Sequence, residues 1–103
     1  MKLKAEFIYG FAQYLNREEK SLATQEKYLR DVRAFCSYAD GRDIKKELVI
    51  AWKQQLVEQG YAVRSINSML SSINNLLDFL GWHDCKVKNI RIQRQTYCTE
   101  EKN

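Results

Sequence analysis

The sequence lacks the long apolar segments that membrane and secreted proteins need. Proline is absent from its 103 residues, which include four glycines and a single histidine. No apolar run approaches the roughly 18 to 20 residues that cross a bilayer, and the N-terminus has no signal-peptide core. We therefore expect a cytoplasmic protein without a membrane partner. The apolar fraction of 45% predicts one folded domain with a modest core.

Cysteine is present but not in a metal-binding or disulfide pattern. Cys36, Cys85 and Cys98 are an odd number, and no Cys-x-x-Cys pair occurs. His83 lies two residues before Cys85, but a stable zinc site needs four ligands and no others cluster there. We predict no metal and no cofactor. The lack of clustered carboxylates and of a phosphate-cradling glycine loop also disfavours a small enzyme.

Hydrophobic periodicity predicts helices throughout the first 80 residues. Apolar residues recur at steps of three and four positions, and Gly41, Gly60 and Gly81 follow such stretches as helix stops. Ser21 and Asp43 are the expected N-caps of two of the helices. The predicted helices span about residues 3–17, 22–39, 44–59 and 63–80. The fold class is all-α, a compact four-helix bundle.

The pattern changes after Gly81. Residues 86–94 alternate polar and apolar side chains, which is typical of an extended segment. They carry four cations and no acid: Lys86, Lys88, Arg91 and Arg94. We therefore predict a helical domain over 1–85, followed by an extended basic tail over 86–103. The net charge of +4 and pI near 9.0 fit a nucleic-acid partner without requiring one.

The fourth predicted helix has an unusual polar face. A solvent-facing helix normally carries Lys and Glu, whereas serine and asparagine are mediocre helix formers. Short hydrogen-bonding side chains suit a helix that a large polar surface, such as DNA, approaches closely. The alternative is that the face packs on another helix or is simply tolerated in water. The face consists of Arg64, Ser65, Asn67, Ser68, Ser71, Ser72, Asn74 and Asn75.

The start of the second helix offers a similar surface. Lys20, Ser21, Thr24 and Lys27 lie at its positive end, where backbone N–H groups can bind phosphate. Ordinary capping beside a solvated charged face is the alternative explanation. For both helices, the residues alone leave open a DNA-binding surface and the plain structural explanation.

The order and spacing of these motifs resemble the N-terminal SAM-like core-binding domain of tyrosine recombinases and phage integrases. The resemblance covers nearly the whole chain, although each motif is loose by itself. The last part, Gly81-Trp82 and the basic run to Gln93-Arg94-Gln95, is similar to the linker that leads to the catalytic domain. The helical motifs are Phe11-x-x-Tyr14-Leu15, Ser21-x-x-Thr24-x-x-x-Tyr28-x-x-Asp31-x-x-x-Phe35, and Arg64-Ser65-Ile66-Asn67-x-x-Leu70-Ser71-Ser72-Ile73.

The resemblance implies a domain that grips duplex DNA at the core recombination site, with the second and fourth helices facing the DNA. It also implies other recombinase protomers as partners in the full assembly, with the isolated fragment monomeric. Arg91 and Arg94 would lie along the interdomain linker. The other implied DNA-binding residues are Lys20, Ser21, Thr24, Lys27, Arg64, Ser65, Asn67, Ser68, Ser71 and Ser72.

The family's catalytic residues are not recognisable in this sequence. If His83 belonged to the His-x-x-Arg motif, position 86 would be arginine, but it is lysine. Tyr97 has no arginine–histidine constellation after it, so we interpret it as a linker tyrosine. We expect the 103 residues to bind DNA without cutting it, in the absence of a catalytic half. The alternative function is a helical protein–protein interaction module.

Overall fold

The computed structural model describes residues 2–91 and contains four α-helices. A single 3₁₀ turn, His83–Cys85, follows them, and residues 86–91 are not helical. The prediction of an all-α bundle is therefore confirmed. Arg94 and Tyr97 lie outside the described residues. The helices are α1 (Ala5–Arg17), α2 (Leu22–Ala39), α3 (Lys46–Glu58) and α4 (Val63–Leu80).

Local signals in the sequence set the start of α2 and the end of α4. The Ser21 hydroxyl accepts the backbone N–H of Thr24 at 3.1 Å, as expected of an N-cap. At the end of α4, Gly81 is left-handed with φ +78°, and the N–H of Trp82 returns to the carbonyl of Leu77. These bonds satisfy backbone groups that the helix itself leaves without partners.

The start of α3 differs from the prediction. Asp43 was the expected N-cap, but α3 begins at Lys46 after an extended Lys45 that makes no side-chain cap bond. The reason is Ile44, which is fully buried. Its side chain belongs to the core, so the chain enters the bundle in an extended conformation there and turns helical two residues later.

The core forms where α2 and α4 pack together, with α1 and α3 closing its two sides. Phe35 of α2 contacts Trp52 of α3, with ring centroids 5.1 Å apart. Leu70 and Ile73 of α4 are fully buried, as their periodicity predicted. Tyr14, which belongs to the motif Phe11-x-x-Tyr14-Leu15 of α1, is 39% exposed. No helix within residues 2–91 combines the length and apolar character needed to cross a membrane.

Two glycines should respond in opposite ways to replacement by alanine. Gly10 lies inside α1, where an added Cβ would be 3.6 Å from Phe79, an ordinary contact distance. Gly10→Ala should stabilise the fold by about 0.5–1 kcal/mol because it restricts the unfolded chain and favours the helix. Gly81→Ala should destabilise it by about 1 kcal/mol because alanine disfavours a positive φ. Urea unfolding of both variants measures the two signs, and equal signs would contradict this account.

Candidate nucleic-acid interface

A groove runs along the surface between α2 and α4. Its volume is about 490 Å³. It brings together four of the residues that the sequence predicted, one from α2 and three from α4: Lys27, Arg64, Ser65 and Ser68. The groove is also lined by Arg30, Asp31, Ala34, Tyr61 and Met69.

Beneath the groove, Lys27 is the centre of a hydrogen-bond network that joins the two helices. Its ammonium nitrogen Nζ donates to Asp31 Oδ2 at 2.9 Å, to the Ser68 carbonyl at 2.8 Å and to Ser72 Oγ at 2.9 Å. The Ser72 hydroxyl in turn donates to Asp31 Oδ2 at 2.7 Å. An ammonium has three donors, so all those of Lys27 are used within the bundle.

The network contradicts one predicted DNA contact, that of Ser72, and occupies the donors of a second predicted residue, Lys27. Ser72 has no exposed surface, so its side chain cannot contact DNA. Lys27 has no donor left for a phosphate, and its role is to balance the carboxylate of Asp31, which is 5% exposed. Removing one partner from a buried ion pair leaves an uncompensated charge, so each partner is needed for stability while the other is present. Both residues serve the packing of α2 on α4.

Replacing Ser72 by alanine should show that its role is structural. We expect Ser72→Ala to lower the free energy of unfolding by about 1–2 kcal/mol because Asp31 loses a buried donor. Ser71→Ala is the matched control, since Ser71 is exposed on the same helix. The change in helix propensity is the same in both variants, so their difference in denaturant unfolding isolates the network. Equal free energies of unfolding in the two variants would mean that the Ser72 hydroxyl contributes nothing to stability through the network.

The groove retains two arginines that are available to a ligand. Arg30 and Arg64 are exposed, and neither forms an ion pair within residues 2–91. With Lys27 and Asp31, the groove lining carries three cations and one carboxylate, a net charge of +2. Sequence reasoning missed Arg30. The signal was its position three residues after Lys27, because residues at i and i+3 share one side of a helix.

The start of α2 does not line the groove. The Ser21 hydroxyl serves as the N-cap and also donates to Thr24 Oγ1 at 2.9 Å. Ordinary capping, the alternative raised from the sequence, therefore describes how the two side chains are used in the structure. Lys20 and Ser21 are exposed and Thr24 is half-buried. Their contact with DNA stays a prediction.

The predicted polar face of α4 divides into three strips. Arg64, Ser71 and Asn75 are exposed along the outer ridge. Ser65 and Ser68 lie on the groove side, towards α2. Asn67, on the far side, pairs with the backbone of Ile90 in the C-terminal segment. The structure therefore shows a contact of Asn67 within the chain, and its contact with DNA stays a prediction. Arg91 directly follows Ile90 and is exposed.

The 3₁₀ turn contains the only histidine of the sequence. His83 Nδ1 is 2.8 Å from Asp78 Oδ1, and the thiol of Cys85 points at the Ile44 carbonyl at 3.8 Å. The two side chains thus face different partners. Burial raises the pKa of the Cys85 thiol, which favours its unreactive protonated form. Within residues 2–91 no three potential metal ligands group together.

Asp78 anchors the start of the C-terminal segment. Its carboxylate lies 3.0 Å from the ammonium of Lys86. The hydrogen bond from Lys86, followed by that from His83, lowers the pKa of Asp78 below its ordinary value of 3.8. A lowered folded-state pKa contributes stability above the unfolded-state pKa, and that stability is lost as pH falls through the folded-state pKa. The exposed pair limits the effect to about 1 kcal/mol or less.

The pKa of Asp78 can be measured directly. We expect a carboxyl NMR titration to place it below 3.8 in the unmodified chain. Lys86→Ala should raise it towards that value, because the hydrogen bond from Lys86 has the largest effect. Glu6→Gln, at an exposed position in α1, is a control that should not shift it. A pKa of Asp78 that is unchanged in Lys86→Ala would contradict the assignment of cause.

Comparison with known protein families gives one match. Residues 8–84 match the family model described as phage integrase, N-terminal SAM-like domain. The matched range covers most of the chain, including almost all of the four helices. Comparison with curated proteins gives no significant match, and comparison with solved structures gives none either.

Proposed function

Because the chain belongs to the family of phage integrase N-terminal SAM-like domains, within the tyrosine recombinases, we propose that it grips duplex DNA at the core recombination site. The surface that would meet the DNA is the groove between α2 and α4 together with the outer ridge of α4. One observation carries the proposal: Arg30 and Arg64, from different helices, line one groove and have no carboxylate partner within residues 2–91.

The shape of the groove suits a phosphodiester backbone. Its lining combines the cationic side chains with the apolar side chains of Ala34 and Met69. A backbone ridge presents phosphates alternating with deoxyribose, so a lining of arginines and apolar side chains matches both components. Asp31, the one acid of the lining, is neutralised by Lys27 at 2.9 Å and should not repel a phosphate.

The outer ridge of α4 would supply closer contacts. Ser71 and Asn75 have short side chains, which let the helix approach a DNA surface closely. Hydroxyl and amide groups can bond to phosphate oxygens or to base edges. We propose that most of the affinity comes from phosphates and that this ridge adds a limited sequence preference.

The proposal is a binding function without strand cleavage. Cutting by a recombinase tyrosine needs arginines and proton-transferring groups gathered around one phosphate. The groove contains no histidine, and His83 bonds to Asp78 on the 3₁₀ turn. We propose that the isolated chain is monomeric and meets other recombinase protomers only on the recombination site.

Salt-dependent binding of labelled duplex tests the proposal. We expect affinity to fall steeply as salt rises, because each neutralised phosphate releases about 0.9 counterion. Arg30→Gln or Arg64→Gln should weaken binding roughly three- to tenfold at low salt and reduce the salt slope by about one. Lys46→Gln is the matched control, since Lys46 is exposed at the start of α3 and does not line the groove.

Three results would contradict the proposal. They are the absence of duplex binding at low salt, binding that is insensitive to salt, and equal losses in Lys46→Gln and the two arginine variants. The second result would favour the helical protein-interaction module that the sequence left as an alternative. Thermal unfolding of each variant checks that lost binding does not reflect lost folding.

A further inference from the structure

Two asparagines of α4 pair with the backbone of the segment that leaves the domain. The Asn74 amide accepts the N–H of Val87 at 3.2 Å and donates to its carbonyl at 2.9 Å. The Asn67 amide likewise accepts the N–H of Ile90 at 2.7 Å and donates to the Ile90 carbonyl at 3.0 Å. Each side chain therefore satisfies both polar groups of one backbone residue, as a neighbouring strand would. We call these two residues the asparagine clasp.

The spacing of the clasp matches the segment it holds. Asn67 and Asn74 are seven residues apart on α4, a rise of about 10.5 Å. Val87 and Ile90 are three residues apart, and an extended chain covers about 10 Å over that interval. Asn74 holds the earlier residue and Asn67 the later one, so the segment runs back towards the start of α4.

Other contacts fix the same segment. Lys53 of α3 donates to the carbonyl of Lys88 at 2.7 Å. Val87 is 7% exposed and belongs to the core, and Ile90 packs against the core from the side. Lys86 begins the segment in its ion pair with Asp78. Residues 86–90 are thus held at each end and in the middle, and they form part of the domain surface.

The segment lies on the side of α4 that faces away from the groove. At 3.6 residues per turn, Asn67 and Asn74 project about 160° away from Ser65 and Ser72 around the helix axis. The outer ridge of α4, which includes Arg64, therefore has the groove on one flank and the cationic segment on the other. Arg91 is exposed and directly follows Ile90, which pairs with Asn67, and Asn67 lies about one helical turn after Arg64 on α4.

We propose that the asparagine clasp positions Arg91 as a DNA phosphate ligand on the second flank of α4. Asn67 and Asn74 are positioning residues: they do not touch DNA, and they act by fixing the path of residues 86–91. A phosphate contact from an unconstrained arginine would require ordering of the chain at the moment of binding, whereas the clasp has ordered it beforehand. This inference rests on the proposed function.

Hydrogen exchange tests the clasp without DNA. In the full chain, the amides of Val87 and Ile90 should be protected. In the double variant Asn67→Ala/Asn74→Ala both should exchange at least tenfold faster, while amides in the middle of α2 keep their protection. Asn75→Ala is the matched control, because the Asn75 amide bonds only to the Ser71 carbonyl within residues 2–91. Unprotected amides in the unmodified chain would overturn the clasp.

DNA binding tests the consequence. Arg91→Gln in the unmodified chain should weaken duplex binding several-fold and lower the salt slope by about one. In the double clasp variant, Arg91→Gln should change affinity less than twofold, because the arginine is no longer held in place. A purely structural role for the asparagines would leave the Arg91→Gln effect equal in both backgrounds, and that equality would overturn the inference.

The two proposals fail in different ways. If the unmodified chain does not bind duplex DNA, the proposed function is wrong and the DNA-binding role of Arg91 falls with it. If the unmodified chain binds and Arg30→Gln weakens it, but Arg91→Gln has no effect in any background, only the present inference is wrong.

Discussion

The ammonium of Lys27 lies where α2 meets α4, and the shape of the candidate interface depends on its three hydrogen bonds. They join a carboxylate of its own helix to a carbonyl and a hydroxyl of the facing helix. Asp31 is buried beneath the groove, so its charge must be balanced inside the protein. With that balance in place, the two helices present Arg30 and Arg64 at a fixed separation, which the proposed binding of a rigid double helix requires.

Periodicity predicted the fold because the core of this domain is made almost entirely of aliphatic and aromatic residues at helical spacing. The stripes through Phe11, Leu15, Ile66 and Leu70 are buried as expected. Ile44 shows the limit of this reasoning. A capping aspartate preceded it and favoured an early helix start, but burial of one large side chain outweighed a cap that contributes about 1 kcal/mol.

The candidate surface was less predictable, because composition does not say which partner a polar side chain takes. Ser72 and Asn67 belong to the same serine- and asparagine-rich face as Ser71, yet one is buried against Lys27 and another holds Ile90. Packing within the protein, one of the alternatives raised from the sequence, is therefore present on this helix. The inward-facing strip packs within the protein, and the outer ridge is left for a ligand. The inward-facing strip and the outer ridge are distinguished only by long-range contacts. The partners of Lys27 are 41 to 45 residues away in the sequence, and the partner of Asn67 is 23 residues away.

The pairing of α4 with the departing chain also constrains how such a domain can vary in length. The rise of about 10.5 Å over the seven residues from Asn67 to Asn74 matches the length of three extended residues, and neither two nor four would fit. An insertion or deletion between Val87 and Ile90 would push one of the two residues out of register and lose a pair of backbone bonds. Length variation between these two residues should therefore be rare among related sequences, which keeps Ile90 at a constant distance from the groove.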